Sequence, residues 1–297
     1  MPLRVLLAVN PHARRGDDAG GRAEAALRAA GHTVTVIDCE RDPQVFSSAI
    51  ARRRGQIDVV AIGGGDGTLI SAIAGIRELA VPLLILPLGT INELARTLSI
   101  PFDIESACRV LDDGVPHAID VGDVNGHHFF NEASIGLSTH VVAEQTEEVK
   151  SRWGMLAIPL ATLRSLGSMR PYRLAVETEH GQRHFRTVQL TVANSYRFGG
   201  VVENTEARID DGVLDLYSID VRHWWDVFSI LVSVALRRFP KSYCVTDLRG
   251  RRFLVTSRRR HRVFADGEQA THTPAEFTIL RRALEIYVPR EAKTATA

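Results

Sequence analysis

Cysteine is scarce in this chain. Three residues, Cys39, Cys108 and Cys244, lie far apart among 297 positions, and pairing any two leaves one over. That argues against a disulfide framework or a zinc site, and for a reducing cytosol. Long apolar runs are missing too: none approaches the about 18 residues that a membrane-crossing helix needs. The opening MPLRVLLAVN is too short in its apolar part for a secretion signal and reads as a first strand. Net charge is almost absent, with 36 Lys+Arg against 35 Asp+Glu, so nothing global draws the chain to nucleic acid. His127, His128, His180, His184, His261 and His272 show neither H-E-x-x-H spacing nor cysteine partners, which argues against a zinc enzyme. The remainder, 45% hydrophobic and 24% charged, suits one large or two smaller globular domains.

The richest stretch is Val59-Val60-Ala61-Ile62-Gly63-Gly64-Gly65-Asp66-Gly67-Thr68. A buried strand runs into glycines, and Leu69, Ile70, Ile73 and Ala74 then recur at helical spacing. Strand, glycine turn and helix let backbone N–H groups approach a phosphate at a helix N-terminus. Glycine serves there by removing side chains and by permitting positive φ. No lysine follows, so this is not a P-loop, and Thr68 replaces the third glycine of a dinucleotide fingerprint.

Strands are expected at Arg4–Val9, Thr33–Ile37, Asp58–Ile62 and Pro82–Leu86, with helices at Ala23–Ala30, Pro43–Arg54 and from about Ile91. This alternation predicts an α/β layer with a parallel sheet, whose ligand edge would carry Asn10, Gly64–Thr68 and Gly89–Thr90. From Asp120 the texture changes. Asn125-Gly126 marks a hairpin, a helical pattern covers Val141–Leu166, and strands return at Tyr172–Thr178, Arg186–Asn194, Val213–Ile219, Arg252–Thr256, Val263–Ala265, Glu276–Leu280 and Leu284–Val288. The expected division is 1–122, with 284–297 returning to it, and a β-rich, sandwich-like domain over 123–283 with helical inserts. The tail Glu291–Ala297 reads as disordered.

Five segments occur in order: GGGDGT, then Pro87-Leu88-Gly89-Thr90-Ile91-Asn92-Glu93-Leu94-Ala95-Arg96, then Asn131-Glu132-Ala133-Ser134-Ile135-Gly136, then Phe198-Gly199-Gly200 with Asp211-Gly212-Val213-Leu214-Asp215, and last Asp266-Gly267-Glu268. Together they resemble the bacterial diacylglycerol kinase-like lipid kinases, which are similar to sphingosine kinases; the GGGDGT loop is shared with NAD kinases and phosphofructokinases. The resemblance spans about residues 4 to 290. It implies a phosphofructokinase/NAD-kinase-like α/β nucleotide domain followed by a β-sandwich-like lipid-binding domain. It further implies transfer of the γ-phosphoryl of ATP, with Mg²⁺, to a hydroxyl of a diacylglycerol- or sphingosine-like lipid.

Phosphoryl transfer needs the nucleotide held, its charge neutralised and the acceptor hydroxyl placed. On this resemblance Asn10, Gly64, Gly65, Asp66, Gly67, Thr68, Gly89, Thr90 and Asn92 bind ATP. Asp66 doubles as a catalytic residue and Mg²⁺ ligand, a helix cap being its plainer reading. Asp266 is the general base and Glu268 its helper, against a plain Asp-Gly turn. Asp211, with backbone carbonyls of Arg208 and Val213, matches a structural Mg²⁺ site, against a type I turn. The chain departs from the family at Glu93, where aspartate is usual, at Ala13, where serine is common, and at Ile37-Asp38, where several members place threonine.

Trp224, Trp225, Val227, Phe228, Ile230, Leu231, Val234 and Leu236 make Asp226–Arg238 an apolar helix, read as core or as an acyl groove. Arg249, Arg251, Arg252, Arg258, Arg259, Arg260 and Arg262 form a basic stretch, read as solvated strand edges or as a membrane-facing patch. The partner expected is therefore lipid at a membrane surface, with peripheral contact at the inner face, no nucleic acid, and a homodimer compatible with an open sheet edge. Two rivals remain at this point: an NAD kinase, whose Asn-Glu pair Asn131-Glu132 imitates, and a non-catalytic lipid-binding or regulatory protein with the same fold.

Overall fold

The computed structural model describes residues 2–11, 13, 18–39, 42–136, 171–194, 197–198, 202–203, 208–220 and 245–290. The expected helical pattern 141–166, the expected apolar helix 226–238, Cys244 and the tail 291–297 lie outside them. The chain divides into two compact units, 1–121 with 281–297, and 122–280.

The first unit alternates strand and helix: β1 (Arg4–Val9), α1 (Ala19–Ala29), β2 (Thr33–Asp38), α2 (Pro43–Ala51), β3 (Val59–Gly64), α3 (Asp66–Leu79), β4 (Leu83–Pro87), α4 (Glu93–Thr97) and α5 (Ile104–Asp113). Its sheet is parallel in the order β4-β3-β1-β2, with Val60 opposite Leu83 and Val5 opposite Val59. Every residue of β3 and β4 is buried, as the unbroken apolar runs of a parallel sheet covered on both faces require. β2 is the edge, and it leaves Val36 exposed.

Helix ends follow local chemistry. Pro43 opens α2, and Asp42 Oδ1 accepts N–H from Gln44 at 2.8 Å and Val45 at 3.3 Å. Gly31, at φ +91°, follows α1, which begins earlier than its apolar spacing indicates. α3 lies against α2 closely enough that a β-carbon on Gly75 would meet the Ser47 carbonyl at 2.3 Å. α5 has no counterpart among the expected helices, although Ile104, Ala107, Cys108, Val110 and Leu111 make its buried stripe and Asp103 caps it through Ser106 N–H at 2.9 Å. Burial pushes the Cys108 thiol up to about 11 and that of Cys39 to about 12, with neighbouring carboxylates adding to each shift, so neither is a nucleophile near neutral pH.

β5 (Val115–Val124) starts in the first unit and ends in the second. The second unit continues with β6 (His127–Phe129), β7 (Glu132–Gly136), β8 (Tyr172–Thr178), β9 (Gly181–Ala193), β10 (Arg197–Phe198), β11 (Val202–Glu203), β12 (Leu214–Asp220), β13 (Val245–Gly250), β14 (Arg252–Thr256), β15 (Arg262–Ala265), β16 (Glu268–His272) and β17 (Ala275–Val288). These strands pair antiparallel in the order β16-β15-β7-β9-β8-β14-β17, with β12 beside β9 and β13 outside β12. Asn125 and Gly126, at φ 52° and 87°, make the tight hairpin turn between β5 and β6 that their dipeptide signals. The core gathers Phe129, Leu174, Val176, Leu190, Val192, Leu216, Phe253 and Phe277.

β17 is one strand where the sequence suggested two. Arg282 adopts φ 49° in its middle, and its N–H is held by the buried Asp120 carboxylate at 2.6 Å. Its last part returns to the first unit, where Ile286 lies parallel to Leu83 of β4. β13 (VTDLRG) and β16 (EQATH) lack the apolar/polar alternation that signals a strand and have no counterpart among the expected strands.

In the first unit Arg4 clamps the entry to β3. Its Nη2 and Nε lie 2.6 and 3.1 Å from Asp58, and its backbone N–H donates to the same carboxylate at 2.8 Å. The Arg4 side chain, followed by its amide, holds the Asp58 carboxyl down to about 2. A depressed carboxylate contributes stability present above its unfolded pKa near ~4 and lost as pH falls through the folded value. Asp58→Asn should therefore lower the melting temperature at pH 6, and the difference from the parent should close by pH about 2. Thermal unfolding across that range measures it, and a pH-independent difference would remove the ion pair as its cause.

Candidate active site

Beyond the C-terminal ends of β3 and β4, two loops of the first unit pack backbone against backbone. A β-carbon on Gly65 would meet the Cα of Gly89 at 3.2 Å, and one on Gly89 would meet the Cα of Gly65 at 2.5 Å and Asn92 Oδ1 at 2.6 Å. Leu88 N–H and Gly89 N–H both donate to the Gly64 carbonyl, at 3.0 and 3.2 Å. A β-carbon on Gly64 would strike Thr68 at 2.6 Å. Close approach thus accounts for Gly64, Gly65 and Gly89. The expected positive φ does not occur in this loop; the left-handed residue nearby is Asn92, at φ 51°, which exchanges two 2.9 Å hydrogen bonds with Gly89.

Asp66 begins α3, yet its carboxylate reaches the start of α4, accepting N–H from Glu93 at 3.0 Å and Leu94 at 3.2 Å. It therefore caps a neighbouring helix, as the plainer reading had it, though on a helix other than its own. Asn10 Nδ2 donates to Thr68 Oγ1 at 3.2 Å, which leaves the Thr68 proton to donate elsewhere. Asn10, Gly64–Thr68, Gly89 and Asn92 are brought together, and Thr90 follows in the second loop. The cleft of about 220 Å³ between α1 and α5, lined by Leu27, Glu105, Cys108 and Asp112, involves none of them.

In the second unit Asp266 and Gly267, at φ 44° and 90°, form the turn between β15 and β16. Three successive amides converge on the Asp266 carboxylate: Phe130 at 2.7 Å, and Asn131 and Glu132 at 3.0 Å each. Asp266 N–H returns a bond to the Glu132 carbonyl at 2.8 Å. Such a run of N–H groups stabilises negative charge and fixes the carboxylate in place. Asn131-Glu132 meets Asp266 through its backbone, a contact invisible to motif reading, while Glu268 stands exposed as the first residue of β16.

The family model for the diacylglycerol kinase catalytic domain matches residues 4–124, and that for the YegS C-terminal NAD kinase beta sandwich-like domain matches 132–288. The chain belongs to the diacylglycerol kinase-like lipid kinases. It is an ATP-dependent lipid kinase. The kinase is 27% identical over 242 residues to the diacylglycerol kinase of Bacillus subtilis, covering 80% of this chain and 79% of that one. It is 28% identical over 272 residues to that of Staphylococcus saprophyticus, covering 90% and 88%. Its fold is similar to the crystal structure of a diacylglycerol kinase from Bacillus anthracis, with TM-score 0.76, 21% identity, and 97% and 98% of the two chains covered.

The remaining motif of the kinase, Asp211 to Asp215, is organised around an arginine. Val213 N–H reaches Asp211 Oδ1 at 3.1 Å and Arg208 N–H reaches Oδ2 at 3.3 Å. The Arg249 guanidinium bonds Asp211 Oδ2, and its Nε lies 3.5 Å from Asp215. Register fixes the contact, because Asp215 and Arg249 face one another across β12 and β13. Amides of Arg208 and Val213 thus point at the carboxylate, and a guanidinium supplies the positive charge. Among the described residues no three His, Cys, Asp or Glu side chains converge as metal ligands.

Asparagine at 266 would present an NH₂ to one of the converging amides. Asp266→Asn should destabilise the kinase by about 1–3 kcal/mol, read by denaturant unfolding. Unchanged stability would show that the amides find other partners.

Proposed function

We propose that the kinase transfers the γ-phosphoryl group of ATP to a hydroxyl of a diacylglycerol-like lipid. The observation that carries this reading is the direct packing of Gly65 on Gly89, which leaves no β-carbon where the two loops meet beyond the ends of β3 and β4. Amides at the start of α3 and the Thr68 hydroxyl are the donors that phosphate oxygens need. The names of the curated relatives favour diacylglycerol as acceptor over NAD.

Mg²⁺ is the ion proposed to accompany ATP, supplying charge neutralisation on the phosphates. Asp66 fits as its protein partner through water, since each of its oxygens accepts one amide and retains a second lone pair. Asp266 is assigned to the acceptor hydroxyl. In a loose transition state that oxygen needs orienting more than early deprotonation, and a carboxylate pinned by three amides is suited to orienting. Contact with lipid is proposed to be peripheral; among the described residues no helix is long and apolar enough to cross a membrane.

Labelled γ-phosphate transfer from ATP to diacylglycerol, sphingoid bases and NAD in mixed micelles tests the reading. Lipid product is expected, falling ~10²-fold or more in Asp266→Asn after correction for folded fraction. Gly89→Ala should weaken ATP binding about tenfold or more by forcing the loops apart. Labelled NADP, or transfer to no acceptor, would overturn the proposal.

A further inference from the structure

At one end of the second unit's sheet arginines are stacked, and among the described residues no ion pair engages them. Arg173 of β8 and Arg186 of β9 are direct cross-strand partners, so their side chains rise from the same face, and both are exposed. Like charges placed directly opposite each other destabilise a sheet. The loop between β14 and β15 brings three more, Arg258, Arg259 and Arg260, all exposed. That loop is fastened to β8: Ser257 Oγ donates to the Arg173 carbonyl at 3.1 Å, and the His261 ring packs edge-on against Tyr172 at 4.8 Å.

The acids of these strands sit elsewhere. Glu177 is at the far end of β8, opposite Gln182, and Glu276 is engaged by Arg252. A chain with +1 net charge has the carboxylates to neutralise five arginines, and the described residues do not place them here.

We propose that this arginine end, Arg173, Arg186, Arg258, Arg259 and Arg260, docks the kinase on an anionic lipid surface. The proposal rests on the lipid-kinase reading, which makes a bilayer the place where the acceptor resides. Polybasic surfaces gain attraction from anionic headgroups with each arginine brought near them, and the gain fades within a Debye length. The like-charge cost of Arg173 against Arg186 is relieved when headgroup phosphates lie between them. Arg251, Arg252 and Arg262, included with these in the basic stretch of the sequence, are not needed for the surface, and Arg249 is committed to Asp211.

Sedimentation with vesicles of phosphatidylcholine alone or mixed with phosphatidylglycerol tests it on the full chain. Binding should require the anionic lipid and weaken with added salt. Replacing Arg258, Arg259 and Arg260 by glutamine should reduce it on the order of 100-fold, and lysine at the three positions should restore it. Arg186→Gln should raise the melting temperature by removing a like-charge pair and yet weaken vesicle binding, a combination that a structural role for the side chain would not produce. Activity in neutral detergent micelles should be unchanged in all these variants. Equal binding of parent and glutamine variants, binding indifferent to lipid charge, or preference for a single-stranded oligonucleotide over the vesicles would overturn the proposal. Absence of transfer in micelles by the parent would instead count against the lipid-kinase reading, and charge-dependent vesicle binding would still be read independently.

Discussion

Two backbones can share one place only where neither carries a β-carbon, and the contact of Gly65 with Gly89 is that case. Everything at the end of the first unit's sheet is arranged to preserve it. β3 and β4 run parallel and in register up to Gly64 and Pro87, which brings the following residues side by side. The Gly64 carbonyl takes two amides of the second loop, Asn92 holds Gly89 from the far side, and Asp66 ties the start of α4 to the start of α3. A substitution at either glycine would therefore be felt in α4 as well as in the loop, because the same few bonds set both.

Much of this was legible in the residues. Unbroken apolar runs located β1, β3 and β4, since a strand covered on both faces has no polar face to show. Glycine density located the loop, and motif order carried the family. The reason for the glycines was less legible: φ and close approach leave the same mark on a sequence, and only the contacts separate them. α5 was passed over despite a clear stripe of Ile104, Ala107, Val110 and Leu111, because no motif drew attention to it. β13 and β16 are short and set polar residues side by side with no period of two, so their existence depends on β12 and β15 rather than on their own composition.

The carboxylates show the sharper limit. Asp66, Asp211 and Asp266 were picked out for phosphate, metal and proton chemistry, and each spends its oxygens on backbone N–H groups: two for Asp66, two for Asp211 and three for Asp266. A sequence names the acid but not the amides that converge on it, which come from residues 27 to 136 positions away for Asp66 and Asp266. Arg249 was equally hidden, because only strand register places it opposite Asp215.

Anchoring and chemistry are compatible uses of one carboxylate. A side chain held by several amides has little rotamer freedom left to lose when a ligand arrives, and positioning is most of what phosphoryl transfer asks of a protein. The same bonds make mutational data ambiguous, since removing the acid removes an acceptor from the fold as well as a group from the site. For Asp266 the two losses separate only when stability and rate are measured on one variant. A rate loss much larger than the unfolded fraction explains belongs to the reaction, and a loss that tracks unfolding belongs to the nest formed by Phe130, Asn131 and Glu132.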